Sequence, residues 1–333
     1  MPIRPADLLH PTPAGLYCPP GDFFVDPTRG VERAVITHGH SDHARPGHGK
    51  ALATPQTLAI MAARMGANHA RETQAVQYGE CVSINGIGVT LVPAGHVLGS
   101  AQVVIDWKGL RIVVSGDYKR SADPTCAPFE QVRADVFVTE ATFALPVFRH
   151  PPAASEIGKL MSSLKRFPER THLVGAYSLG KAQRVIKLIR EAGYDEPIFI
   201  HESLWAMCDI YAANGIELGA LTPLADTAGP LAGGRVAVGP PSTFAADRFT
   251  GPLAVHASGW MRTRKRARRT GVELPLIISD HADWGELTDT IREVNPQEVW
   301  ITHGRDDALA RWAELNGYMA KPLALVGYED EGD

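Results

Sequence analysis

The 333-residue sequence is short of cysteine, of long apolar runs and of positive charge, and each shortage narrows what the chain can be. Its four cysteines, Cys18, Cys81, Cys126 and Cys208, are scattered with no CxxC pair. That fits reduced, mostly buried thiols in a cytoplasm rather than a disulfide framework. No apolar stretch approaches the ~18 residues of a membrane span, so no membrane partner is expected. The start, Met1-Pro2-Ile3-Arg4-Pro5-Ala6-Asp7, lacks the apolar core of a signal peptide, and a cytoplasmic location is expected. A net charge of −4 excludes a uniformly basic coat for nucleic acid. With 44% hydrophobic and 21% charged residues the chain buries a large core, which excludes disorder as its main state. At roughly 150 residues per domain the length implies two domains, or one large domain carrying an insertion. Thirteen histidines are the informative excess, because several stand beside aspartates.

The first ~150 residues alternate short apolar runs with Gly- and His-rich loops. Arg33–Thr37, Val89–Val92, Ala101–Ile105, Arg111–Val114 and Asp135–Thr139 read as strands, several buried on both faces. Thr54 to Met65 reads as a helix with Pro55 in its first turn. The character changes near His150-Pro151-Pro152. A helix over 154–166, a strand over 171–175, a helix opened by Ser178-Leu179-Gly180-Lys181, a strand over 197–200 and a helix over 204–213 form a small α/β unit. The first pattern then returns with a strand at 276–278, a helix over 284–294 and a strand over 298–302. A core domain, 1–150 and 272–333, split by an insertion over 151–271, is the simplest organisation.

The strongest local signal is Thr37-His38-Gly39-His40-Ser41-Asp42-His43, directly after a predicted strand. A short loop can point alternate side chains at two neighbouring places, so His38 and His40 can serve one cation and Asp42 and His43 a second. Imidazole with carboxylate suits Zn2+, with Mn2+ or Fe2+ as the lesser alternatives. Later strand ends carry His96 in Pro93-Ala94-Gly95-His96, Asp117 in Ser115-Gly116-Asp117 and His303 in Trp300-Ile301-Thr302-His303. These supply a third imidazole for the first metal, a bridging carboxylate, and a second imidazole for the other metal.

HxHxDH followed by His96, Asp117 and His303 resembles the metallo-β-lactamase fold, an αββα sandwich with metals at one edge of its sheets. Glu140 in Thr139-Glu140-Ala141-Thr142, His281 in Ser279-Asp280-His281-Ala282-Asp283, and His303 are similar to the three additional motifs of the β-CASP nucleases. The α/β insertion lies where that family carries its cap domain. Ser115-Gly116-Asp117-Tyr118-Lys119-Arg120 and Ser258-Gly259-Trp260-Met261-Arg262 look most like the bacterial DNA-ligase-associated exonucleases. The resemblance implies that His38, His40 and His96 bind one zinc, that Asp42, His43 and His303 bind a second, and that Asp117 bridges them. It implies that Asp26, in Val25-Asp26-Pro27, orients a ligand from behind. Two departures stand out. Position 141 is alanine where the first added motif often has serine, and His303 stands where RNA-processing members have histidine and eukaryotic DNA-processing members typically have valine.

Two dications outweigh the charges of Asp42 and Asp117, so the cluster attracts a phosphate, and metal ions bring water to a deprotonable state near neutral pH. What remains is a proton for the leaving oxygen. A histidine outside the ligand set, its tautomer held by a carboxylate, supplies one; Glu140 and His281 fit. The catalytic candidates are therefore Asp42, Asp117, Glu140 and His281. Six basic residues at Arg262, Arg264, Lys265, Arg266, Arg268 and Arg269 are a local exception in an acidic chain. They read either as a solvated face or as phosphate contacts. Ser178 and Lys181 open a helix that could hold a terminal phosphate. The expected activity is degradation of DNA from an end, single strands and frayed ends preferred, with a role in repair and an association with a DNA ligase and a helicase implied by the resemblance. An RNA-processing nuclease is the alternative, favoured by His303, and a small-molecule hydrolase of the same fold is a further one.

Overall fold

The computed structural model describes residues 3–227, 229–244, 248–263, 271–304 and 306–323, without the side chains of His303 and Asp306. The chain divides into two compact units, Met1–Phe148 with His281–Gly332, and Arg149–Asp280. Among the described residues no helix is long and apolar enough to cross a membrane.

The first unit holds two sheets. Six strands run in spatial order β1 (His10–Thr12), β2 (Gly15–Cys18), β3 (Phe23–Val25), β4 (Arg33–Val35), β5 (His48–Ala53) and β6 (Ala70–Ala75). The second sheet has the order β19-β18-β11-β10-β9-β8-β7. Its strands are β7 (Cys81–Ile84), β8 (Ile87–Pro93), β9 (Ala101–Trp107), β10 (Leu110–Val114), β11 (Val136–Ala141), β18 (Glu298–Gly304) and β19 (Met319–Pro322). Strands β7 to β10 pair antiparallel, whereas β10, β11, β18 and β19 pair in parallel.

The period of two along a strand explains how this unit packs. Val35 and Leu52 of the first sheet share one buried cluster with Val103, Ile105, Ile112, Val114, Val136, Val138 and Trp300 of the second. Their neighbours point the other way. Ala34, Ala51 and Ala53 pack with Leu58 and Met61 of helix α2 (Pro55–Met65), which Thr54 caps by accepting from the Thr57 N–H at 3.2 Å. Val104, Val113, Phe137, Val299 and Ile301 pack with Leu287, Ile291 and Val294 of α6 (Trp284–Val294) and Leu309 of α7 (Asp306–Leu315). The short α1 spans Pro5–Leu8.

The second unit is built on a parallel sheet with the order β14-β13-β15-β12-β16-β17. These strands are β12 (His172–Gly175), β13 (Ile198–Ile200), β14 (Leu221–Pro223), β15 (Val236–Gly239), β16 (Leu253–Ala257) and β17 (Leu274–Leu276). Helix α3 (Ala153–Arg166) precedes β12, α4 (Lys181–Glu191) connects β12 to β13, and α5 (Trp205–Ala213) connects β13 to β14. The sequence pattern assigns residues from 272 onward to the core domain. Instead β17 pairs in parallel with β16, Ala257 opposite Leu276, and the division falls at Asp280–His281. The cysteines also differ from expectation. Cys18 and Cys208 are buried, and burial pushes both thiols up to about 11, but Cys126 is half-buried and Cys81 is exposed, because it starts the edge strand β7.

Candidate metal centre

The site lies in the first unit, on loops that follow strand ends, the usual place for function in sheets of this kind. The turn after β4 carries His38, His40, Asp42 and His43. It is tightened by the Ala44 N–H donating to the His40 carbonyl at 2.7 Å, and Arg64 of α2 donates to the Gly39 carbonyl. His96 follows β8, where the Ser100 hydroxyl accepts from the N–H groups of His96 and Val97 at 3.1 and 3.2 Å. Asp117 follows β10. The two last loops touch at Gly95, where a Cβ would stand 2.3 Å from the Lys119 carbonyl oxygen, so only glycine lets them approach.

Three ring nitrogens converge. His40 Nδ1 is 3.1 Å from His38 Nε2 and 3.0 Å from His96 Nε2. Asp117 Oδ2 lies 3.5 Å from the same nitrogen of His38 and 3.8 Å from that of His96. A second group forms on the same carboxylate, with Asp117 Oδ2 3.4 Å and Asp42 Oδ2 3.5 Å from His43 Nε2. The residues His38, His40, His96 and Asp117, and again Asp42, His43 and Asp117, each offer ligand atoms within 4.8 Å of one another. Nitrogens bound to one zinc at about 2.0–2.1 Å stand roughly 3.3 Å apart, so the first set has the spacing and donor type of a zinc site. The electrostatics agree. Burial, reinforced by the neighbouring imidazoles, holds His38 well below the usual histidine range, which keeps it neutral as a ligand must be. Burial disfavours charge on Asp117 too, yet His43 and His281 hold its carboxyl well below the ordinary carboxylate range. For His43 burial opposes charge, but Asp117 and Asp42 outweigh it and raise the ring well above its usual range. These carboxylates are arranged to face positive charge.

Glu140 and His281 meet beside this centre. His281 Nδ1 is 3.0 Å from Glu140 Oε2, and Glu140 Oε1 accepts the Tyr118 N–H at 2.8 Å. Burial pushes the Glu140 carboxyl up, and His281 opposes the shift. His281 is the more open of the two, with 21% of its side chain exposed against none for Glu140. Asp117, Glu140 and His281 also offer ligand atoms within 4.8 Å of one another. Asp26 sits behind the loop, its Oδ2 2.7 Å from His43 Nδ1.

The remaining sequence candidates fall differently. The backbone of His303 lies near the end of β18, where the register against β11 shifts between Thr139 and Ala141, and its side chain lies outside the described residues. Arg264, Lys265, Arg266 and Arg268 lie outside them as well, while Arg262 is exposed at the end of a short 3-10 turn, Gly259–Arg262. Ser178 is half-buried. Lys181 is buried, with its ammonium 3.8 Å from Asp280 Oδ2, and Arg184 reaches Asp280 Oδ1 at 3.3 Å. The N–H of Gly180 is taken by the side chain of Gln183 at 2.9 Å. These partners all lie within the second unit. Sequence reasoning passes over Thr37 and Arg64. Nothing in their spacing marks them, although Thr37 directly precedes the first histidine.

No protein-family model matches the chain. A probable DNA ligase of Opitutus terrae is 29% identical over 323 residues, covering 90% of this chain and 30% of the relative. The endoribonuclease YSH1 of Gibberella zeae is 29% identical over 174 residues, 51% of this chain and 20% of the relative. The cleavage and polyadenylation specificity factor subunit 3 of Dictyostelium discoideum is 32% identical over 134 residues, 39% of this chain and 17% of the relative. The chain therefore spans less than a third of the length of these relatives. A crystal structure of a protein of unknown function from Enterococcus faecalis V583 shares the fold at a TM-score of 0.57 and 14% identity, covering 86% of this chain and 78% of that one. The motif set is similar to that of the β-CASP nucleases of the metallo-β-lactamase fold, and these relatives support that resemblance.

Proposed function

We propose that the chain is a di-zinc phosphodiesterase that degrades DNA from an end, built as an αββα sandwich with a β-CASP cap. The observation that carries the DNA reading is the extent of the likeness. The relative described as a probable DNA ligase aligns along 90% of this chain, whereas the two RNA-processing relatives align along 51% and 39%. In this reading the chain works in the cytoplasm in association with a DNA ligase and a helicase, and the likeness to the probable DNA ligase supports the ligase association alone. Processing of RNA is the second reading, favoured by His303.

In this reading His38, His40 and His96 would hold one metal, Asp42, His43 and His303 the other, with Asp117 shared between them. Metal ions held there would supply Lewis-acid polarisation of the phosphodiester and a lowered pKa for the attacking water. The protein's own contribution is to position and to move protons. Asp26 fixes the ring of His43 from behind. Glu140 accepts from His281 Nδ1, and the doubly protonated ring gives the proton on its other nitrogen, Nε2, to the departing oxygen.

The test is a digestion of linear and circular single-stranded DNA beside a matched RNA. Loss of the linear DNA with the circle intact is the expected result. Faster cutting of the RNA, or equal cutting of the circle, overturns the substrate reading, since the 2′-hydroxyl is what separates the polymers at one sequence.

The basic segment gives a separate expectation. Neutralising Arg264, Lys265 and Arg266 together should weaken binding to single strands and lower the log–log salt slope by ~0.7 for each phosphate that is no longer neutralised. A slope equal to that of the parent, measured by fluorescence anisotropy across a salt series, returns the segment to a solvated face.

A further inference from the structure

The hydroxyl of Thr37 stands between two groups that matter to the centre. Asp26 is buried at 4% exposure and takes the Thr37 N–H on Oδ1 at 2.8 Å, with Thr37 Oγ1 at 2.6 Å and His43 Nδ1 at 2.7 Å from Oδ2. A carboxylate has no hydrogen to give, so these bonds run toward Asp26. A threonine hydroxyl has one hydrogen, and here Asp26 receives it. The same oxygen lies 3.0 Å from His38 Nδ1. With its hydrogen already committed, it meets that nitrogen as an acceptor. His38 Nδ1 then carries the ring proton, and the lone pair of Nε2 faces His40 and Asp117.

We propose that Thr37 is a positioning residue that fixes His38 in the Nδ1-protonated tautomer, so that the single carboxylate of Asp26 sets two metal-facing histidines, His43 directly and His38 through the threonine hydroxyl. The inference rests on the reading of this cluster as a metal centre. A second feature shows how closely Thr37 is seated. Gly116, beside Asp117, has φ +55°, and a Cβ on it would stand 2.8 Å from both Cβ and Oγ1 of Thr37. The threonine is thereby held between Asp26 and the loop that carries the shared carboxylate. Without the hydroxyl, the Nδ1–H of the fully buried His38 would lose its acceptor. The ring would gain by moving its proton to Nε2, next to Asp117, and a protonated Nε2 ligates nothing.

The experiment compares Thr37→Val, which keeps the shape and removes the hydroxyl, with Thr37→Ser, which restores it. Zinc affinity of each full-length protein is read by competition with a chromophoric chelator. Thr37→Val should weaken zinc binding by about 10–100-fold, the usual cost of losing a group that orients a ligand, and Thr37→Ser should recover most of it. Valine binding as tightly as the parent overturns the relay and leaves the metal centre standing; a parent that binds no zinc overturns both. Should neither variant fold, nitrogen-15 spectra of the metal-stripped parent decide the matter. The proton of His38 is expected on Nδ1, and a proton on Nε2 overturns the proposal.

Discussion

Asp117→Ala is expected to strip the protein of both metals together and to abolish turnover. One oxygen, Asp117 Oδ2, lies between 3.4 and 3.9 Å from ring nitrogens of His38, His43, His96 and His281. The residue enters all three groups of metal-ligating side chains in the described structure. In the proposed two-metal reading, replacing it removes a shared ligand and the negative charge that would offset two cations. Each remaining set keeps histidines but loses the anion that binds them into one centre, so metal content should fall well below one ion per chain. The fold should persist, because Asp117 sits on a loop outside the apolar clusters that join the sheets. Elemental analysis beside a circular dichroism spectrum separates these outcomes. An Asp117→Ala protein with native metal content and full activity would remove the basis of the assignment.

His281→Ala should act differently. Its ring bonds to Glu140 through Nδ1 at 3.0 Å and is the more exposed partner, as a group that meets substrate must be. Loss of a general acid lowers turnover by roughly 10²–10⁴-fold. Metal content should stay near that of the parent. Bis(p-nitrophenyl) phosphate, whose leaving group needs no proton, should be affected far less than DNA. Because Asp117, Glu140 and His281 also lie close enough to share an ion, the metal analysis carries weight: loss of a metal on this substitution makes His281 a ligand and refutes the acid role.

The two halves of the first unit differ in how clearly they can be read from sequence. The strands β9 to β11 and β18 carry runs of consecutive buried residues, as strands covered on both faces do, whereas β8 alternates buried with half-buried positions. Of the other sheet only β4 is legible. Strands β1 to β3 have three or four residues each, and β6, Ala-Arg-Glu-Thr-Gln-Ala, is an exposed edge with a polar composition that favours no strand. Their pairing comes from tertiary context, which overrides local propensity. In the second unit β15 and β16 are short apolar runs between glycines and prolines, and β17 at Leu274–Leu276 precedes the predicted 276–278 because it extends the sheet that begins at β12.

The site is more legible than the fold, since ligand chemistry is written in residue type. His38, His40, Asp42, His43, His96 and Asp117 stand out as side chains seldom placed together without a cation, and the structure brings all six to one place. Lys181 shows the opposite case. A lysine at a helix start suggests a phosphate seat, but sequence spacing does not reveal that the carboxylate of Asp280, a hundred residues on, stands 3.8 Å from its ammonium. Thr37 is silent for the same reason. Its role depends on Asp26, which the fold delivers from the end of β3.

The central claim, that this cluster is the metal centre of a nuclease, is tested most directly by stripping metal from the unaltered protein in steps while measuring metal per chain and hydrolysis of linear single-stranded DNA on each sample. The account predicts two metal ions per chain in the active protein, hydrolysis that falls as they are removed, and recovery on adding Zn2+. Undiminished hydrolysis by metal-free protein would contradict it.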